Sequence, residues 1–93
     1  MFDFGKGIKF VKISSYDEAR DVVQYLIEQG CKLQGYSLKT LCSLMAQDYQ
    51  FVTANQDREI TGHRFPPKEP WQSYPDWAAS RLSIKISNID DLL

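Results

Sequence analysis

The sequence predicts a small α+β domain, a mostly antiparallel sheet of about four strands with one main helix packed on one face. Three observations carry that expectation. Residues 15–30 hold a helix start, an apolar helical stripe and a helix stop in the right order. Residues 49–65 hold two alternating segments separated by turn formers. Ile8–Ile13 and Leu82–Ile86 are short runs rich in β-formers.

In chain order, IKFVKI at 8–13 follows the flexible Gly5-Lys6-Gly7 and carries apolar residues on both parities, which suits a central strand. Ser15-Tyr16-Asp17-Glu18 has capping-box spacing, and its two carboxylates complement the positive end of a helix dipole. Ala19, Val22, Val23, Leu26 and Ile27 then recur as one helical stripe, and Gly30 offers a left-handed stop. The main helix is therefore expected over about 16–29. After it, CKLQGY forms a short extended segment ending near Gly35. Ser37 could cap a second, short helix bearing Leu38, Leu41, Cys42 and Met45 on one face. YQFVT (49–53) and EITGHRF (59–65) make a hairpin across Asn55-Gln56-Asp57. Leu82, Ile84 and Ile86 alternate with polar residues as a half-buried strand, and the last residues from Asn88 could add one helical turn.

Between these elements, residues 66–77 (PPKEPWQSYPDW) contain all four prolines and both tryptophans. Proline fixes φ and removes a donor, so the segment is expected to be a loop, neither interior strand nor helix. Trp71, Tyr74 and Trp77 recur three residues apart within it. Rigid aromatics dominate protein interfaces, which makes these three the candidate partner-binding residues. The competing structural role is a lid in which the rings fold back over a small core.

The totals bound the function. The chain has 93 residues, enough for a single domain over 1–93 with one core. It is 43% hydrophobic and 25% charged, an ordinary globular balance. Eleven basic and twelve acidic residues give a net charge of −1, which demotes nucleic acid as a partner because phosphate binding calls for a basic excess. Neither a signal peptide nor a membrane-length apolar run is visible, so the expected compartment is the cytoplasm.

Catalytic and metal chemistry find little support. His63 is the single histidine, a surface or packing residue unless it serves a hydrolytic enzyme as base. One histidine and two cysteines eleven positions apart, without a Cys-x-x-Cys, make no zinc site, and no cofactor motif is present. Cys42 falls on an apolar stripe, while Cys31 could be core or surface. Arg58, Ile60, Gly62 and Arg64 share a strand parity, so Arg58 and Arg64, with His63 beside them, could grip a nucleotide-like anion from one sheet face. Two solvated arginines are the plainer alternative.

An opening strand and helix of the form VKISSYDEARDVVQYLIEQGC, a hairpin like YQFVTANQDREITGHRF and an acidic-leucine tail like LSIKISNIDDLL follow one another here. This order resembles a group of small α+β inhibitor-type proteins encoded by bacteriophages. The Leu38–Met45 stripe and the Pro/Trp loop depart from it. The resemblance implies a non-enzymatic protein that disables a host defence protein by direct contact, in the host cytoplasm. Its alternative is an oligomer that sequesters a nucleotide-derived signal. It carries over no site residue.

Overall fold

A computed structural model describes residues 1–81. The expected strand at 82–86 and terminal turn from Asn88 lie outside the described residues.

The order is β1 (Phe10–Lys12), α1 (Tyr16–Glu28), α2 (Leu38–Gln47), β2 (Phe51–Ala54), β3 (Ile60–His63) and β4 (Trp71–Ser73). A third helix, α3, occupies residues 74–81. The fold is α+β, with a four-stranded sheet in the order β3-β2-β1-β4. β1 is central, as its apolar residues on both parities require. It pairs antiparallel with β2 and parallel with β4, and β2 pairs antiparallel with β3. The sheet is thus mixed. Its fourth described strand comes from the proline-rich segment that was expected to be loop.

Local chemistry sets the helix ends. Ser15 caps α1 by accepting from the Glu18 N–H at 3.2 Å. Glu18 reaches back to the Ser14 N–H at 2.8 Å, one residue before the position that the capping box predicts. At the other end Gly30 has φ +91°, and the Cys31 N–H returns to the Leu26 carbonyl, a Schellman closure. Ser37 caps α2 through the Thr40 N–H at 3.1 Å.

The packing follows the parity of the strands. Val11 of β1 with Ile13 just after it, Val52 and Ala54 of β2 and Ile60 of β3 face the helices and join one core cluster. Onto them α1 lays Ala19, Val22, Val23 and Leu26, while Ile27, also on the expected stripe, is left partly exposed. α2 adds Leu41, Cys42 and Met45. The opposite parity places Phe10, Phe51, His63 and Trp71 on the second sheet face. Phe10 and Phe51 are buried there outside the helix-side cluster. Among the described residues, no helix is long and apolar enough to cross a membrane.

Candidate interaction surface

The turn from β3 to β4 is stiffened by sequence. Phe65 precedes Pro66 and Pro67, so its backbone is pushed toward extended geometry and β3 ends just before it at His63. Pro70 precedes Trp71, and its carbonyl accepts the Lys9 N–H at 2.8 Å, which fixes where β4 begins. Ser73 then closes β4, and its hydroxyl donates to the Asp76 carboxylate at 3.0 Å. Pro75 falls in the first turn of α3, where its missing donor is harmless.

This arrangement separates the three aromatics that sequence grouped together. Trp71 pairs with Phe10 across β1 and β4, lies edge-on to Phe51 at 5.1 Å between centroids, and is 41% exposed. Trp77 sits on the other side of the sheet and is only 2% exposed. It packs edge-on against Tyr25 at 5.2 Å and Phe4 at 5.9 Å, and carries the Arg81 guanidinium over its ring at 4.5 Å. Tyr74 is half-buried, and its hydroxyl donates to Asp21 of α1 at 2.7 Å. Trp77 and Tyr74 thus anchor α3 to α1, and of the three expected partner-binding residues Trp71 alone is exposed. The lid role describes Trp77. The reason is the strand-to-helix switch at Ser73, because three-residue spacing inside a helix gathers Tyr74 and Trp77 on one face while Trp71 stays in the strand.

The anion grip expected of Arg58 and Arg64 does not assemble on one face. Arg58 precedes β3 in the left-handed region at φ +61° and donates to the Gln29 carbonyl at 3.3 Å, placing its charge at the negative end of α1. Arg64 follows β3, lies over the Tyr49 ring at 5.1 Å and stands 3.9 Å from Asp48. Six residues of extended chain separate them by about 20 Å. Their shared parity is also the parity of Ile60 and Gly62, which face the helices. His63 lies on the other sheet face, edge-on to Phe10 at 4.9 Å. The three residues therefore have three separate settings.

Phe65 is an exposed aromatic that sequence reasoning passed over. It was read as the end of a strand, yet it is 78% exposed, the most exposed of the large apolar side chains among the described residues. Its signal was its place before two prolines, which end a strand and leave a ring outside the sheet. Phe65 and Trp71 therefore bracket a segment containing Pro66, Pro67 and Pro70.

No family model, curated protein or solved structure matches this chain.

Among the described residues, no group of three or more His, Cys, Asp or Glu side chains could hold a metal ion. Cys31 and Cys42 are both free and buried, and burial pushes each thiol above its ordinary range.

Tyr74 gives the anchor a pH signature. Donating to Asp21 favours its neutral phenol, and with burial this pushes its pKa up to about 12 from an ordinary 10.0. A group whose folded pKa is raised contributes stability that is complete below the unfolded value and lost as pH climbs through the folded one. Stability should therefore fall between pH 10 and about 12 more steeply in the wild type than in Tyr74→Phe. Denaturant melts of the two proteins across that window check it, and parallel curves would show that the Tyr74–Asp21 bond does not form.

Proposed function

We propose that this chain is a non-enzymatic binding protein that seats a partner protein on the segment between Phe65 and Trp71. The observation that carries the reading is the exposure of two large aromatic rings, 78% and 41%, at the two ends of a proline-stiffened turn. Covering a ring of this size is worth about 1.5–3 kcal/mol. Proline lowers the conformational entropy that a flexible turn would lose on binding. An exposed apolar pair held on a rigid support is the composition of an interface hot spot.

The resemblance to phage-encoded inhibitors supplies the class of partner, a host defence protein blocked by non-covalent contact in the host cytoplasm. In that reading no bond is made or broken, and inhibition is occupancy of the host surface.

A photo-reactive benzophenone amino acid placed at position 65 tests the contact. It is expected to cross-link one discrete protein in lysate from the native cells, whereas the same probe at position 36 is expected to give none. Tyr36 is the control because it is an exposed aromatic between α1 and α2, remote in sequence from the proposed surface. Equal labelling from both positions, or none from position 65, would count against the reading.

A further inference from the structure

Behind β4, on the helix side and away from Trp71, lies a cavity of about 180 Å³. Phe4, Ile8 and Trp77 form its apolar walls, and Lys6, Gln72 and Arg81 its polar rim. Each rim residue is placed by local structure. Gln72 pairs with Val11 and so shares its parity, toward the helices. Lys6 sits in a left-handed turn at φ +54° between Gly5 and Gly7. That turn is held by the Gly5 N–H on the Asp3 carboxylate at 2.6 Å and by the Phe4 N–H on the Ile8 carbonyl at 2.7 Å. The Arg81 guanidinium stands over two aromatic rings, 4.8 Å from the Tyr25 centroid and 4.5 Å from that of Trp77.

The Trp77 ring that walls this cavity carries an unpartnered donor packed against protein. The indole N–H of Trp77 is buried and has no hydrogen-bond partner among the described residues. An unmatched buried donor costs about 1–3 kcal/mol, so its retention calls for an explanation. The charge around it has one sign. Among the described residues, two cations line the cavity and no carboxylate does. Asp21 approaches Arg81 only to 3.7 Å, and it already accepts the Tyr74 hydroxyl. Lys6 makes no ion pair among the described residues. The volume suits one ring, since an apolar cavity of about 150 Å³ holds benzene.

We propose that this cavity binds a single-ring aromatic carboxylic acid. The ring fills the space between Phe4, Ile8 and Trp77. The carboxylate lies at the rim and is neutralised by Lys6 and Arg81. The inference is independent of the partner surface, because Trp71 and Gln72 point to opposite sides of β4.

The probe is benzoate, followed in the proton–nitrogen correlation spectrum of the intact chain. With two tryptophans, two indole peaks are expected, and Trp71→Phe assigns them by removing one. Benzoate should shift the Trp77 indole proton, because its ring packs on the Trp77 wall, with a Kd on the order of 1 mM for so small a ligand. Benzamide, the same size without charge, should bind at least about tenfold more weakly, as expected on losing a charge-assisted hydrogen bond. Lys6→Gln should weaken benzoate by about threefold, the effect of one exposed ion pair. An indole peak that stays still at about 20 mM benzoate overturns the proposal. So does an equal response to benzamide or to inorganic phosphate, because either shows that ring and charge are not recognised together.

Discussion

Trp77→Ala is expected to cost about 3–5 kcal/mol, the range for emptying a buried tryptophan site. The indole touches elements from both ends of the described chain, Phe4 before β1, Tyr25 on α1 and Arg81 on α3. Alanine therefore leaves a void that no single neighbour can fill, and Arg81 loses one of its two aromatic faces. Domains of ordinary stability hold only about 5–15 kcal/mol, so about a fifth or more is lost. At about 4–8 °C per kcal/mol for a chain of this length, the Tm should drop by at least about 12 °C. Trp71→Ala, six residues earlier and 41% exposed, is expected to change stability by less than about 1 kcal/mol. Thermal melts of the two variants side by side decide the matter. Equal losses would mean that the two tryptophans share one environment, contrary to the strand-to-helix switch at Ser73.

The second large effect is at Gly62. Glycine inside a strand ordinarily weakens it, so alanine there would be expected to help by about 0.5–1 kcal/mol. Here the sign reverses. A β-carbon on Gly62 would fall 2.5 Å from Cβ of Tyr49 and 3.0 Å from its carbonyl oxygen. Neither atom is the end of a flexible side chain. Tyr49 is fixed just after α2, where its N–H returns to the Leu44 carbonyl at 3.3 Å, so relief requires moving the whole link between α2 and β2. Gly62→Ala is expected to destabilise by about 1–3 kcal/mol, the usual cost of overpacking. Urea melts of Gly62→Ala, Tyr49→Gly and the double variant measure the contact directly. A coupling of at least about 1 kcal/mol is expected, and strict additivity would show that the two residues do not touch.

How far the sequence revealed this fold depends on how many local signals agreed at each place. For α1 the cap, the stripe and the glycine stop all pointed one way, and the helix runs Tyr16–Glu28. Only the reach of Glu18 differed, because the box spacing does not say whether the serine before the cap offers a second donor. The hairpin of β2 and β3 was legible from alternation and from the Asn55 turn, whose side chain accepts the Asp57 and Glu59 N–H groups. β4 and α3 were not legible. A strand of three residues is too short to show a period, and four prolines in twelve residues argued against any regular element. The overlooked signal was Ser73-Tyr74-Pro75-Asp76, a serine, a first-turn proline and an acid at capping-box spacing.

The candidate site was partly visible for the same reason. Sequence drew attention to Trp71, and the structure shows it exposed on the second sheet face. Grouping it with Tyr74 and Trp77 assumed one continuous loop, and a change of secondary structure between them undid the grouping. The pairing of Arg58 with Arg64 failed differently. Parity arguments hold only within a strand, and both arginines lie just beyond the ends of β3. Burial of Trp77 against Phe4 and Tyr25 has no local sequence signature, since the contact joins residues more than fifty positions apart.

The most direct test of the partner surface is a quantitative pull-down from native-cell lysate with three proteins of matched thermal stability, the wild type, Phe65→Ala/Trp71→Ala and Tyr36→Ala. The account predicts one stoichiometric partner that the wild type and Tyr36→Ala retain and that the double variant loses. A partner held equally by the double variant, or lost on Tyr36→Ala alone, would contradict the assignment of the Phe65–Trp71 segment as the binding surface.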